Sequence, residues 1–280
     1  MAWVLQTLLY GLLKGARDVV KKESLKKSTV VEVLFFYTLF AFLLCIPAST
    51  DIASVDVKYM PYIFIKSFVI FIAWILSFKA IKSLPLSIYG ILDLSRVLFA
   101  TLLGIFVLKE AVTVNQIIGL ILVTLGLIFL KQRKNEEKED VRPFVVILAL
   151  LSCVLNAISG FLDKVLTQFV TPSQLQFYYM LFLTLMYLVY LLIDRSEVNV
   201  KSSVKNHWIW VLAILFVIAD KSLFIANANP ASKITIMTLI KQSGCVVTIL
   251  AGKFIYKEKN MLHKFICAAV IIAGIVIAVC

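Results

Sequence analysis

Residues 95–110, SRVLFATLLGIFVLKE, and residues 243–258, SGCVVTILAGKFIYKE, close on the same Lys-Glu pair, Lys109-Glu110 and Lys257-Glu258. Sliding residues 79–131 onto 227–279 extends the match through Ala80/Ala228, Ile88/Ile236, Ser95/Ser243, Leu102/Leu250, Gly104/Gly252, Ile118/Ile266 and Gly126/Gly274. At a slightly different offset, Gly15, Asp18 and Val20 match Gly160, Asp163 and Val165. Apolar identities arise easily in a hydrophobic chain, so the glycines, the aspartates and the Lys-Glu pairs carry the argument. The chain reads as two related halves. In a membrane protein such a duplication is a known route to a transporter.

The membrane follows from composition. Of the 280 residues, 61% are hydrophobic, and the mean hydropathy is +0.98; a soluble domain sits nearer ~45–50% apolar. Apolar runs of ~20 residues, long enough to span a bilayer as helices, recur from end to end. They are continuous rather than alternating, which argues against a membrane barrel. The net charge of +12 does not point to nucleic acid, because the basic residues sit in short connections and form no arm that tracks a phosphate backbone. The five cysteines, Cys45, Cys153, Cys245, Cys267 and Cys280, lie in or at the ends of apolar runs without CxxC or ligand spacing. They read as small buried or lipid-facing residues, and no metal or cofactor is expected. The first run lacks a basic leader and a cleavage site, so it reads as a retained helix.

Ten helices are expected, at 2–22, 28–48, 59–79, 84–108, 112–131, 143–166, 173–193, 206–226, 231–254 and 261–279. The charged stretch 132–142 (QRKNEEKEDVR) separates a first five-helix repeat, 1–131, from a second, 143–280. Five is odd, so the second repeat enters from the opposite side. The expected fold is an all-α integral membrane protein of two inverted five-helix repeats, with its substrate site at the bilayer midplane between them. Twenty basic residues, Lys14, Arg17, Lys21 and Lys22 among them, fall on the side reached after the first helix; five, Lys58, Lys66, Lys109, Lys164 and Lys233, fall on the other. The excess of positive charge marks the cytoplasm, which puts both termini outside.

Three basic residues remain deep in helices: Arg96, Lys221 and Lys241. A charge there costs at least ~2.5–3.5 kcal/mol unless it faces protein or water. Asp93 precedes Arg96 by three residues and shares its helix face, while the repeat sets Asp93 opposite Lys241. Asp220 stands beside Lys221. Tyr89, one turn before Asp93, and Gln242 and Ser243, beside Lys241, complete the candidate substrate-binding set. Two readings stay open: internal salt bridges that hold helices together, or the lining of a polar cavity that meets substrate. Asp18 and Asp163 read as structural charges at helix ends. In each Lys-Glu pair the lysine suits a helix C-terminus electrostatically. Asn227, Asn229 and Pro230 form a turn between the eighth and ninth helices that reads as a plain loop rather than a gate to a pathway. Gly119, Gly126, Ala269, Ala273 and Gly274 allow close packing, within the chain or in a homodimer through the fifth and tenth helices.

These residues resemble the drug/metabolite transporter superfamily, in particular its ten-helix EamA-like branch, over nearly the whole chain. Each half is similar to a small multidrug resistance protein with one added helix. Two departures stand out: many EamA-type sequences carry proline where Arg96 follows Ser95, and described ten-helix members are usually placed with both termini in the cytoplasm. The resemblance implies a secondary-active transporter of a bacterial cell membrane, working by alternating access through a central cavity. No GxxxxGK[ST] sequence points to ATP. A carboxylate such as Asp93 or Asp220 would carry protons only if burial raised its pKa, which Arg96 and Lys241 oppose, so coupling to protons or to a counter-substrate stays open. Both signs of charge at the midplane suit a small polar metabolite, zwitterionic or anionic, such as an amino acid or a phosphorylated compound. A flippase for lipid or polyprenyl-linked sugar and an exporter of cationic drugs are the alternatives. An enzyme is not expected, since His207 and His263 lie near helix ends and no HExxH, GxSxG or paired-carboxylate motif occurs.

Overall fold

In the computed structural model, which describes residues 2–48, 52–108, 114–132, 142–193, 200–232, 237 and 240–279, every described regular element is a helix. The first half holds α1 (Ala2–Ser24), α2 (Val30–Cys45), α3 (Met60–Ser83), α4 (Leu86–Asp93), α5 (Arg96–Leu108) and α6 (Val114–Gln132). The second holds α7 (Pro143–Leu166), α8 (Pro172–Ile193), a short α9 (Val200–Lys205), α10 (His207–Ala228), α11 (Gly244–Phe254) and α12 (Met261–Val279). Lys109, Glu110 and residues 133–141 of the expected linker lie outside the described residues. Four described segments, Val57–Ser83, Pro143–Leu166, Pro172–Ile193 and His207–Ala228, are long and apolar enough to cross a membrane. Side chains such as Ile121, Phe144, Leu151, Val189 and Ile214 are exposed, as a lipid-facing surface requires.

Sequence sets the starts of the two second helices in the same way. Thr29 and Glu32 form a capping box at α2, with Glu32 N donating to Thr29 Oγ1 at 3.3 Å and Thr29 N donating to Glu32 Oε2 at 2.7 Å. Thr171 and Gln174 repeat it at α8, at 3.3 and 2.9 Å. Each box satisfies two amides that would otherwise lack partners.

Packing between the halves follows exchange of first-half elements for second-half ones. Helix α1 lies along α10, and α3 lies along α7; α2 meets both α8 and α10, and α8 meets α3; α6 lies along α12. At the α1–α11 crossing the backbones touch. A Cβ on Gly244 would sit 2.6 Å from Gly11 O, and one on Gly15 would sit 2.5 Å from Gly244 O. At α6–α12, a Cβ on Gly274 would fall 2.8 Å from Leu122 Cβ and 2.9 Å from Gly119 O. The glycines expected to permit close approach therefore meet within the chain, while Ala269 and Ala273 face outward.

Two expected helices are not continuous. The helix expected over 84–108 is divided: Leu94 N and Ser95 N bond back three residues, to Ile91 O at 3.1 Å and Leu92 O at 3.0 Å. That tighter turn eclipses side chains at i and i+3, which draws Asp93 and Arg96 together. The helix expected over 231–254 has the same interruption where it is described, with Ser243 N bonding Ile240 O at 3.1 Å and Cys245 N bonding Gln242 O at 2.9 Å. The Lys257-Glu258 pair does not close a helix either. It lies beyond Phe254 in a turn where Lys257 has φ of 50°. In the same turn the Tyr256 hydroxyl donates to Glu23 Oε1 at 2.7 Å, and burial together with that carboxylate pushes the phenol pKa well up.

The glycine crossing is testable. Gly244→Val should cost roughly 1–3 kcal/mol through overpacking and lower the thermal unfolding midpoint in detergent by several degrees. Gly160→Ala, where an added Cβ meets nothing within 4 Å, should leave the midpoint unchanged or raised. Equal losses in the two variants would contradict the close approach.

Candidate functional site

Helix α1 brings the largest share of charge into the bundle. Tyr10, Lys14, Arg17, Asp18 and Lys21 fall at helical spacing on one side of it, and Tyr10, Lys14, Arg17 and Asp18 are buried. Lys14 pairs with Asp93 Oδ2 at the end of α4, and Arg96 Nη2 reaches Asp93 Oδ1 at 2.7 Å across the helix break. One turn along α1, Arg17 Nη1 pairs with Asp220 Oδ1 of α10 at 3.1 Å, its guanidinium 5.0 Å from the Phe216 ring centre and 5.5 Å from that of Tyr10. Asp18 pairs with Lys21 at 2.8 Å. Across the bundle, Lys66 of α3, only 1% exposed, lies 3.1 Å from Asp163 Oδ1 of α7 and 3.0 Å from the centre of the Tyr179 ring. Cation–π contact of this kind stabilises a desolvated ammonium by about 2 kcal/mol.

Among the described residues two ion pairs join the halves, and they relate to one another with reversed sign. Arg17–Asp220 sets a cation of α1 against an anion of α10, and Lys66–Asp163 sets a cation of α3 against an anion of α7.

Lys241 differs from the rest. Among the described residues it makes no ion pair; its ammonium lies 5.8 Å from the Tyr10 ring centre. Leaving aside the balanced Asp18–Lys21 pair, five cations (Lys14, Arg17, Lys66, Arg96 and Lys241) face three carboxylates (Asp93, Asp163 and Asp220). Hydrogen-bonding capacity is also left over. Arg17 Nε, Arg96 Nε, Ser95 Oγ, Ser243 Oγ and Asn227 Nδ2 are buried without a hydrogen-bond partner.

Of the residues expected at a substrate site, Asp93, Arg96, Lys241 and Asp220 belong to this charged centre. Tyr89 is buried beside it, its hydroxyl 2.6 Å from Ser77 Oγ. Gln242 is buried at the second helix break, and Ser243 Oγ packs against Gly11. Lys221 is not brought to this centre: its ammonium donates to Ser173 Oγ at the start of α8. Neighbours on a helix point ~100° apart, so Asp220 and Lys221 cannot both face one centre. Three cations missing from the expected set, Lys14, Arg17 and Lys66, are central. The i, i+3, i+4, i+7 series from Lys14 to Lys21 was the signal for the first two.

The profile of the EamA-like transporter family matches residues 1–131, and that of solute carrier family 35 matches residues 143–280. No curated protein sequence matches the chain. Among solved structures, one described only as the crystal structure of a protein is similar over 99% of this chain and 96% of its own, with a TM-score of 0.69 at 14% identity. That likeness shows the fold alone.

Removing one partner of a buried pair strands the other. Asp220→Ala should cost about 3–5 kcal/mol, read as a lowered unfolding midpoint in detergent. The double variant Arg17→Met/Asp220→Leu should recover most of the loss; no recovery would mean that the pair does not act as a unit.

Proposed function

Since the chain belongs to the drug/metabolite transporter superfamily, we propose that this integral multi-pass membrane transporter carries a small anionic or zwitterionic metabolite. It does so as two inverted five-helix repeats, residues 1–131 and 143–280, that rock around the charged centre. The exchange-related packing of α1–α10 with α3–α7, the paired helix breaks and the sign-reversed ion pairs support the repeat. Such an arrangement suits alternating access, because contacts made by one half at one face have counterparts from the other half at the opposite face.

The observation that carries the substrate class is the surplus of cations over carboxylates, with Lys241 left without an ion-pair partner among the described residues. Uncompensated charge at the centre of a bilayer is costly, and an anionic group on the substrate would offset it. Lys241 and the free Nε groups of Arg17 and Arg96 would bind that group. Asp93 and Asp220, already engaged by cations, would receive an ammonium in the zwitterionic case. A hydrophobic cation would meet like charge. The excess of basic residues in the connections on the side reached after the first helix supports a placement with both termini outside.

The test pairs binding with transport. In purified protein an anionic or zwitterionic ligand at ~100 times its Kd should add about 2.7 kcal/mol of stability. Lys241→Gln and Arg96→Gln should lose that stabilisation, and with it transport in proteoliposomes; Lys241→Gln, which breaks no ion pair among the described residues, should also keep its unfolding midpoint without ligand. Stabilisation by hydrophobic cations instead, or unchanged transport in both variants, would overturn the reading.

A further inference from the structure

Helix α4 has no cap of its own. Its N-cap residue is Pro85, which makes no side-chain cap bond, so the first amides of the helix must find an oxygen elsewhere. Glu258 provides it from the other half of the chain. Its Oε1 accepts from Leu86 N at 2.6 Å, its two oxygens accept from Ser87 N at 3.4 and 3.3 Å, and Oε2 also accepts from Ser87 Oγ. Lys264 of α12 holds the same carboxylate at 3.2 Å. The turn that delivers Glu258 is built for the purpose. Lys257 and Asn260 take φ of 50° and 56°, and Glu258 N bonds Gly252 O at 2.9 Å. A Cβ on Gly252 would lie 2.9 Å from Oε2. A carboxylate against a helix N-terminus is also favoured by the helix dipole.

The opposite end of α4 is Asp93, held by Lys14 and Arg96. Along its length Gly90 packs directly on Thr248 of α11. Pro85 separates α4 from α3, and the turn at Leu94–Ser95 separates it from α5. Helix α4 is thus a rod of eight residues carrying Tyr89 and Asp93, with Glu258 at one end and the charged centre at the other.

We propose that Glu258 is a positioning residue for transport: it latches α4 across the interface of the two halves, and its release lets α4 swing and opens the charged centre to the face that bears Glu258. This rests on the transporter reading, but its test needs no substrate. Cys153 lies behind α4, its Sγ 3.7 Å from Leu92 O and fully buried in the closed latch. In a full-length variant whose only cysteine is Cys153, a membrane-impermeant thiol reagent is applied to oriented proteoliposomes from each face in turn. Glu258→Ala should speed labelling about tenfold or more from the Glu258 face alone, the size expected when charge-assisted hydrogen bonds are lost. Glu258→Gln, which keeps one acceptor oxygen, should fall between that variant and the parent. Labelling that is unchanged, or faster from both faces alike, would overturn the latch whatever the substrate proves to be.

Discussion

The arrangement of this protein depends on the cost of placing charge in an apolar slab. Lys14, Arg17, Lys66, Asp93, Asp163 and Asp220 are all buried, and each would be prohibitive alone in a bilayer. Pairing removes most of that cost only where geometry is good and no partner is missing. For Arg17 and Lys66 the partner lies in the other half. The ion pairs therefore specify which helices meet as much as they stabilise the meeting. A helix with the charge content of α1 has a place in the bundle only where α10 and α4 present carboxylates to it.

Around that constraint the backbone adjusts. Where α1 crosses α11, glycine on both sides lets the main chains approach within contact of one another. Where Asp93 must reach both its own arginine and a lysine of α1, the helix gives up regular bonding for a tight turn. The second break, at Gln242–Ser243, stands beside Lys241, so both interruptions accompany charge. Apolar side chains fill the remaining volume. The principal cluster runs from Val33 and Tyr37 through Phe78 and Tyr179 to Phe216, an aromatic floor beneath Arg17.

Much of this was legible in the sequence, for identifiable reasons. Apolar runs separated by lysine mark membrane helices whatever their packing. The pairing of Asp93 with Arg96 followed from their spacing of three residues. The first helix break was hidden because Leu94-Ser95-Arg96 contains neither proline nor glycine. Lys14 and Arg17 were assigned to a surface because counting charge by connection moves any residue near a helix end outward, although their spacing from Asp18 and Lys21 marks an inward polar stripe. Glu258 was the least accessible. Its partners lie 172 and 171 residues away, and only the proline at the start of α4 hints that a cap must come from elsewhere. Lys221 lies apart from the centre although it adjoins Asp220, because adjacency on a helix separates side chains rather than joining them.

The ion pair between Arg17 and Asp220 also sets an order of events during synthesis. The two residues are 203 positions apart, and at ~5–20 residues per second the ribosome needs roughly 10–40 s to travel from one to the other. Throughout that interval α1 is present with its guanidinium, Lys14 and Asp18, and without its main packing partner α10. It is absent from the segments apolar enough to cross a membrane on their own. Helix α1 is accordingly complete before the carboxylate that it pairs with on α10 has been made, and that contact forms only afterwards.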